Sequence, residues 1–378
     1  MALRKPPLRE AHAERGAKFT EFGGWDMPVE FDSIRAEHTA VREAAGIFDV
    51  SHMGQIAVTG PDAETLMQRL TSNDVSALAP GEAQYGVITD ADGTILDDTV
   101  TYCLPDAHPA DYLFVPNAGH DEEMHRRWID YRDDHDLDAV VENATDETAM
   151  FAVQGPDAVG LAADAFGGMV RDRSRFEATL AHPEDHEEVE CLVARTGYTG
   201  EDGVEIICPA RAAETVYEVF TGAEADEDDA SAGVVPCGLG ARDTLRIEAG
   251  FLLSGQDFDP ESNPRNPYEA GIGWTVKLDT EFVGRDALEA VEAEGVDERF
   301  VGFKLLDRGV PRHGYDIVNT EGTIVGEVTS GTMSPTLGDP VGMGYVPVEY
   351  ADPGTVLRVV VRGQQKRARI QPLPFLDQ

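Results

Sequence analysis

The chain has 378 residues, of which 30 are basic and 71 acidic, for a formal net charge of −41. That balance excludes generic binding to nucleic acid or to an anionic membrane surface, because both need a cationic footprint. An apolar share of 42% is enough for a globular core and excludes wholesale disorder.

Only Lys5, Lys18, Lys277, Lys304 and Lys366 are lysines. So large an acidic excess opposes compaction unless salt screens it, and at molar salt the Debye length falls to about 3 Å. An acidic surface almost free of lysine therefore points to a salt-adapted, halophilic setting. No apolar run approaches the roughly 18 residues of a membrane span, and Met1 to Arg15 carries basic residues without an apolar leader segment. A soluble cytoplasmic protein of two or three domains is expected.

In chain order, the first clear element is a helix from about Ser33 to Ala45, with Ile34, Val41 and Ala45 on one face and Gly46 placed to end it. Short strand-like runs follow, separated by Gly, Pro and Asp. The phrase Ala57-Val-Thr-Gly-Pro-Asp-Ala63 returns as Ala152-Val-Gln-Gly-Pro-Asp-Ala158, each time before a helical pattern. Each copy reads as strand, turn and helix, with Pro61 and Pro156 suited to the first helical turn and Asp62 and Asp157 to its positive end. Either an internal duplication of βα units or convergent turn chemistry accounts for the repeat.

Tyr85 to Tyr102 reads as two strands joined at Asp92-Gly93. Alternation puts Leu96, Asp98, Val100 and Tyr102 on one face, and Ile95, Asp97, Thr99 and Thr101 on the other. Asp98 thus falls among apolar neighbours, where burial raises a carboxyl pKa unless donors or a cation stabilise the anion. A functional carboxylate and a buried Asp holding backbone amides both fit. Arg195 to Ile207 is strand, glycine-punctuated turn and strand, and Glu205 projects opposite to Val204 and Ile206. It can accept hydrogen bonds from an N–H-rich ring such as a pterin, or lie on an exposed strand face. The glycines here are expected to serve the turns alone.

The acidic stretches His182 to Glu190 and Ala223 to Asp229 read as solvated loops. Cys237 to Gly250 starts as a glycine-rich turn and continues as a helix closing at Gly250. Gly238 to Asp243 lacks the third glycine of a dinucleotide fingerprint. Arg242, near the helix start, either holds a carboxylate with the free amides there or pairs with the plentiful acidic side chains. From Phe300 the pattern turns to short strands (301–305, 324–329, 356–361, 368–370), which predicts a C-terminal barrel-like β-domain.

Cys103, Cys191, Cys208 and Cys237 are widely spaced, with no Cys-x-x-Cys pair. No His-Glu-x-x-His, Gly-x-Ser-x-Gly or P-loop pattern occurs, and Asp90-Ala-Asp-Gly93 lacks the further carboxylates of a calcium loop. No metal is expected.

Together these segments resemble the T-protein of the glycine cleavage system, a tetrahydrofolate-dependent aminomethyltransferase. The likeness spans nearly the whole chain: Phe22 to Pro28, Phe48 to Gly54, Ile95 to Asp98, Pro116 to Gly119, Arg195 to Glu205, Gly238 to Asp243 and Thr329 to Gly338. It implies transfer of a one-carbon unit from an aminomethyl-dihydrolipoyl carrier, the H-protein, to tetrahydrofolate, with release of ammonia and formation of 5,10-methylenetetrahydrofolate. By the same resemblance Asp98 is the catalytic aspartate, Met53, Tyr85, Asn117 and Tyr198 line the pterin pocket, Glu205 accepts from pterin N–H groups and Arg242 meets the acidic part of folate. The implied fold is an α+β multidomain cloverleaf of the folate-binding aminomethyltransferase type. Its folate-binding region covers residues 1–285, with an inner segment near 55–145, and a C-terminal β-barrel covers 286–378. Gly93-Thr94, His120 and the tail Pro374-Phe-Leu-Asp-Gln378 depart from the common pattern. Two rival readings are a related tetrahydrofolate-dependent demethylase and a non-catalytic folate-binding accessory protein of iron–sulfur cluster assembly. The flavin domain fused to many demethylases is not expected here, and the accessory family's Lys-Gly-Cys-Tyr motif is replaced by Arg195-Thr-Gly-Tyr198.

Overall fold

The computed structural model describes residues 2–222 and 234–376, and the chain forms two compact units. The first comprises Met1–Leu70, Asp74–Gly86 and Thr99–Arg242, and the second Thr71–Asn73, Val87–Asp98 and Asp243–Gln378.

The first unit opens with α1 (Arg9–Glu14) and a hairpin of β1 (Lys18–Phe22) and β2 (Trp25–Glu30). The expected helix is α2 (Ile34–Glu43), capped by Ser33, whose hydroxyl accepts the Ala36 amide. It stops before Gly46, which instead begins β3 (Gly46–Asp49). Space explains the glycine: a Cβ there would lie 2.6 Å from both Cys237 Sγ and Val41 Cγ2.

Both copies of the repeated phrase fold as read. The first runs from β4 (Ile56–Thr59) to α3 (Ala63–Leu70). Then come β5 (Ala83–Thr89), β6 (Ile95–Cys103), β7 (Tyr112–Val115), α4 (Asp121–Asp134) and β8 (Val140–Asn143). The second copy runs from β9 (Thr148–Gln154) to α5 (Ala158–Phe166). Gly60 and Gly155 adopt φ of +125° and +132°, values glycine alone reaches without strain. That turn uses up Pro and Asp before the helix starts, so Pro61 and Pro156 precede the first helical turn instead of sitting in it.

The remaining elements of this unit are β10 (Ala178–Ala181), β11 (Cys191–Ala194), β12 (Gly203–Pro209), α6 (Ala213–Thr221) and β13 (Val235–Cys237). One sheet has the order β5-β6-β7-β4-β8, the other β10-β11-β12-β9-β3-β13. In the second sheet Ile47, Phe151, Val153, Val204 and Ile206 point to one face and pack with Ala162 and Phe166 of α5 and Val216 and Phe220 of α6. Each such side chain contributes about 1.5–3 kcal/mol by leaving water. Because strand periodicity is two, burying Val204 and Ile206 fixes Glu205 on the opposite face. The stretch 182–190 is a largely exposed connection, while Ala223 to Asp229 lies outside the described residues.

The 87–98 hairpin belongs to the second unit. Asp90 Oδ1 accepts the Asp92 and Thr94 amides and Gly93 takes φ of +80°, the turn the sequence announced. Helix α7 (Leu239–Ala249) carries the chain onward and ends at Gly250, with φ of +74°. After α8 (Arg285–Glu294) come β14 (Glu298–Leu305), β15 (Tyr315–Val318), β16 (Ile324–Met333), β17 (Pro340–Pro347), β18 (Val356–Val361) and β19 (Gln364–Gln371). They close a barrel in the order β14-β17-β16-β15-β18-β19, filled by Val301, Phe303, Val328, Val346, Val359 and Ile370. The C-terminal barrel is thus a finding as well as an expectation.

Candidate active site

In β6 the faces alternate as expected, and the face opposite Asp98 is the more buried one. Ile95, Asp97, Thr99 and Thr101 are buried, whereas Leu96, Asp98 and Val100 remain half-buried. Ile95 packs with Val87, Leu252, Phe258 and Ala270, and the Thr99 hydroxyl accepts the Val115 amide at 3.0 Å. Those two anchors turn Asp97 inward, where Oδ1 takes the Asp98 amide at 3.0 Å, and leave Asp98 on the more open side. Asp98 is therefore a half-buried residue on the less buried face of its strand.

The Arg195 to Gly203 turn owes its shape to Gln154. Its Nε2 donates to the Thr196 carbonyl at 3.1 Å and its Oε1 accepts the Thr199 hydroxyl at 2.9 Å, while Arg42 donates to the Thr199 carbonyl at 2.8 Å. A Cβ on Gly197 would come within 2.0 Å of Gln154 Oε1, and one on Gly203 within 2.4 Å of the Val153 carbonyl. Gly200, at φ of +83°, is the turn glycine. Packing, not turn geometry alone, demands the other two.

On the strand that follows, the Glu205 carboxyl lies deep among protein atoms although the residue keeps an accessible edge. Burial pushes its pKa up, and the Thr196 side chain and the Arg242 charge only partly offset this. Tyr102 Oη stands 3.3 Å from Thr196 Oγ1, and burial together with the Glu205 charge holds the phenol firmly protonated. Arg242 reaches the same place from the first turn of α7. Gly238 and Gly240 let that helix start pack on β2, where a Cβ would meet the Val29 backbone at 2.3 and 3.0 Å respectively. The Gly238 amide is tied to buried Glu37 at 2.8 Å. The Arg242 guanidinium carbon lies 4.4 Å from the centre of the Tyr198 ring, a cation–π contact.

Tyr198, Glu205 and Arg242 are thus brought together. Met53 lies in the turn after β3, its carbonyl accepting Gln55 Nε2 at 3.3 Å. Asn117 follows β7 in a loop that meets the 22–24 turn so closely that a Cβ on Gly23 would lie 2.5 Å from Ala118 Cβ. Tyr85 is on β5. Asp98 belongs to the second unit. All seven candidate residues are half-buried, neither core nor free surface. Among the described residues no group of His, Cys, Asp and Glu could hold a metal.

Sequence reasoning missed His52, Thr196 and Tyr102. His52 is fully buried, with neither ring nitrogen hydrogen-bonded among the described residues. Burial first, then the Arg242 charge, push its pKa down to about 3, opposed by Asp49. Its place between Ser51 and Met53 was the only signal available.

Comparison with known proteins gives two family matches, GCVT N-terminal domain over residues 8–280 and glycine cleavage T-protein C-terminal barrel domain over residues 298–377. The chain is 60% identical to a protein of Natronomonas pharaonis and 58% identical to one of Haloarcula marismortui, both named "Probable aminomethyltransferase", each alignment covering 100% of both chains. It is 40% identical to an aminomethyltransferase of Bacteroides thetaiotaomicron over 99% of each. The crystal structure of glycine cleavage system aminomethyltransferase T from Bartonella henselae matches with a TM-score of 0.88 at 32% identity, covering 99% of this chain and 98% of that one.

Proposed function

The chain belongs to the glycine cleavage T-protein family, and from that premise we propose which of its residues recognise the substrates and which carry the chemistry. It is a tetrahydrofolate-dependent aminomethyltransferase of the glycine cleavage system, moving a one-carbon unit to tetrahydrofolate with release of ammonia. The demethylase and iron–sulfur accessory readings are not favoured by relatives named as aminomethyltransferases. The acidic composition accords with the halophilic relatives.

The observation that carries the assignment of residues is the half-open cluster of Tyr198, Glu205 and Arg242. A desolvated carboxylate on a half-buried residue, a stacked aromatic ring and a nearby cation suit a flat, N–H-rich ring. Glu205 accepts from the ring N–H groups, and Arg242 stabilises the ionised form of Glu205 against the cost of burial. Arg242 also meets the acidic portion of folate. Met53, Tyr85, Asn117 and Tyr198 are assigned to the walls.

Asp98 is assigned the chemistry. A positioned carboxylate takes up the proton released as the first folate nitrogen bonds the aminomethyl carbon, returns it to the departing ammonia and stabilises the iminium-like positive charge; the second folate nitrogen then bonds the same carbon as its bond to the carrier sulfur breaks, and the dihydrolipoyl thiol leaves with that nitrogen's proton. The donor is assigned as the aminomethyl-dihydrolipoyl arm of the H-protein. Folate binding is placed in residues 1–285 and the barrel in 286–378. A cytoplasmic location completes the reading; among the described residues no helix is long and apolar enough to cross a membrane.

The test mixes purified protein, tetrahydrofolate and an aminomethylated lipoyl carrier at molar salt and follows ammonia and 5,10-methylenetetrahydrofolate. Both appear in equal amounts if the reading is right. Ammonia no faster than in a protein-free control would end it.

A further inference from the structure

His52 has no part in the mechanism above, yet it is a polar residue where a polar residue is expensive. It is fully buried, and neither Nδ1 nor Nε2 has a hydrogen-bond partner among the described residues. A buried donor or acceptor left unmade costs stability, so a phenylalanine of similar shape would be the cheaper occupant unless the nitrogens are used. Asp49 is not the user: its oxygens are committed to His12 Nε2 at 2.9 Å and to the Ser51 amide at 3.0 Å.

Through Phe22 this ring is linked to three pieces of the candidate pocket. Phe22 stands edge-on to it, with ring centres 5.3 Å apart and planes at 85°. Phe22 also packs with Trp25, Met27 and Leu239, and Leu239 opens the helix that bears Arg242. The turn after Phe22 abuts Ala118, the neighbour of Asn117. Met53 is the next residue in the chain. The Arg242 charge is close enough to act on the ring.

We propose that His52 is a positioning residue for folate: when folate occupies the pocket, a ring nitrogen accepts a hydrogen bond from Arg242 and fixes the guanidinium between Tyr198 and Glu205. This rests on the folate reading of the pocket given above. A neutral imidazole presents one lone pair and one N–H, and Arg242 can only donate, so the acceptor nitrogen is the one used. The burial and charge that hold the ring neutral keep that lone pair available.

The test measures tetrahydrofolate binding and steady-state kinetics for wild type, His52→Phe and His52→Gln. Phenylalanine keeps the volume and the contact with Phe22 but has no nitrogens, whereas glutamine keeps an acceptor and loses the ring. The expected result is KM and Kd for tetrahydrofolate raised about tenfold to a hundredfold in His52→Phe, the size of a lost bond to a charged group, with kcat within about twofold and affinity largely restored in His52→Gln. Unchanged affinity in His52→Phe would overturn the proposal. So would good binding by Phe with loss in Gln, or equal loss in both, since packing alone predicts those. If His52→Phe does not fold, nitrogen NMR of the wild-type ring decides, with His52→Gln supplying the assignment: a shift of one ring nitrogen on adding tetrahydrofolate supports the proposal and an unmoved ring overturns it. Failure of the wild type itself to bind tetrahydrofolate would instead overturn the pocket reading.

Discussion

Arg242 and Arg246 stand one turn apart on α7 and occupy opposite environments. The Arg246 side chain is 1% exposed, and its nitrogens donate to Asp243, the Phe251 carbonyl, Asp257 and Ser330. Asp257 also accepts the Leu253 amide and the hydroxyls of Thr329 and Ser330. Those two residues sit where the register of β16 shifts, and the shift directs both hydroxyls to Asp257. Arg242 is half-buried, with the Tyr198 ring on one side and the charge of Glu205 near it. A fully enclosed guanidinium specifies the fold; a half-buried one beside a carboxylate of raised pKa is equipped to meet a ligand.

The contrast is broken most severely at its structural end. Asp257→Ala leaves Arg246 buried without its main counter-charge and is expected to cost about 3–5 kcal/mol, read as a lower midpoint in chemical unfolding at high salt. A loss below about 1 kcal/mol would mean that the buried pair is not the anchor it looks. Arg242→Gln is expected to change the unfolding midpoint little while weakening tetrahydrofolate binding about tenfold to a hundredfold. Equal damage by both substitutions to stability would erase the distinction between the two arginines.

The pH dependence sharpens the same contrast with a smaller effect. The folded pKa of Glu205 is raised by burial. Its contribution to stability is therefore fully present below the ordinary carboxylate value of about 4.3 and is lost as pH rises through the raised value. Ligand binding has the opposite sign, because the pocket needs the anion. Affinity for tetrahydrofolate should fall as pH drops through that raised pKa, at higher pH than an ordinary glutamate would give. In Glu205→Gln the affinity is weaker and this dependence disappears; a wild-type profile flat down to the ordinary carboxylate range would contradict the assignment.

The sequence announced elements wherever local chemistry decides them. Ser33 capped its helix, Asp90 and Gly93 made their turn, Gly250 closed α7 and the late strands formed the barrel. It was less informative where packing decides. Alternation defined two faces of β6 correctly but could not say which is buried, because that depends on the partners of Ile95 and Thr99 far along the chain. The demand for glycine at 197 and 203 comes from Gln154 and from the Val153 carbonyl, again distant in sequence. Within the candidate site, Glu205 was placed by simple period-two reasoning, whereas no local pattern separates Arg242 from Arg246 or marks His52 as a buried ring without hydrogen-bond partners among the described residues.

The central claim is that recognition and chemistry reside in different residues, with Asp98 assigned to the second. Asp98→Asn preserves the shape of the side chain and removes its charge and basicity. Turnover of the aminomethylated carrier and tetrahydrofolate dissociation should be measured on the same preparation at molar salt. The account predicts that turnover falls about a hundredfold to ten-thousandfold while the dissociation constant stays within about twofold of wild type. Turnover that survives, or affinity that falls in step with it, would contradict the account.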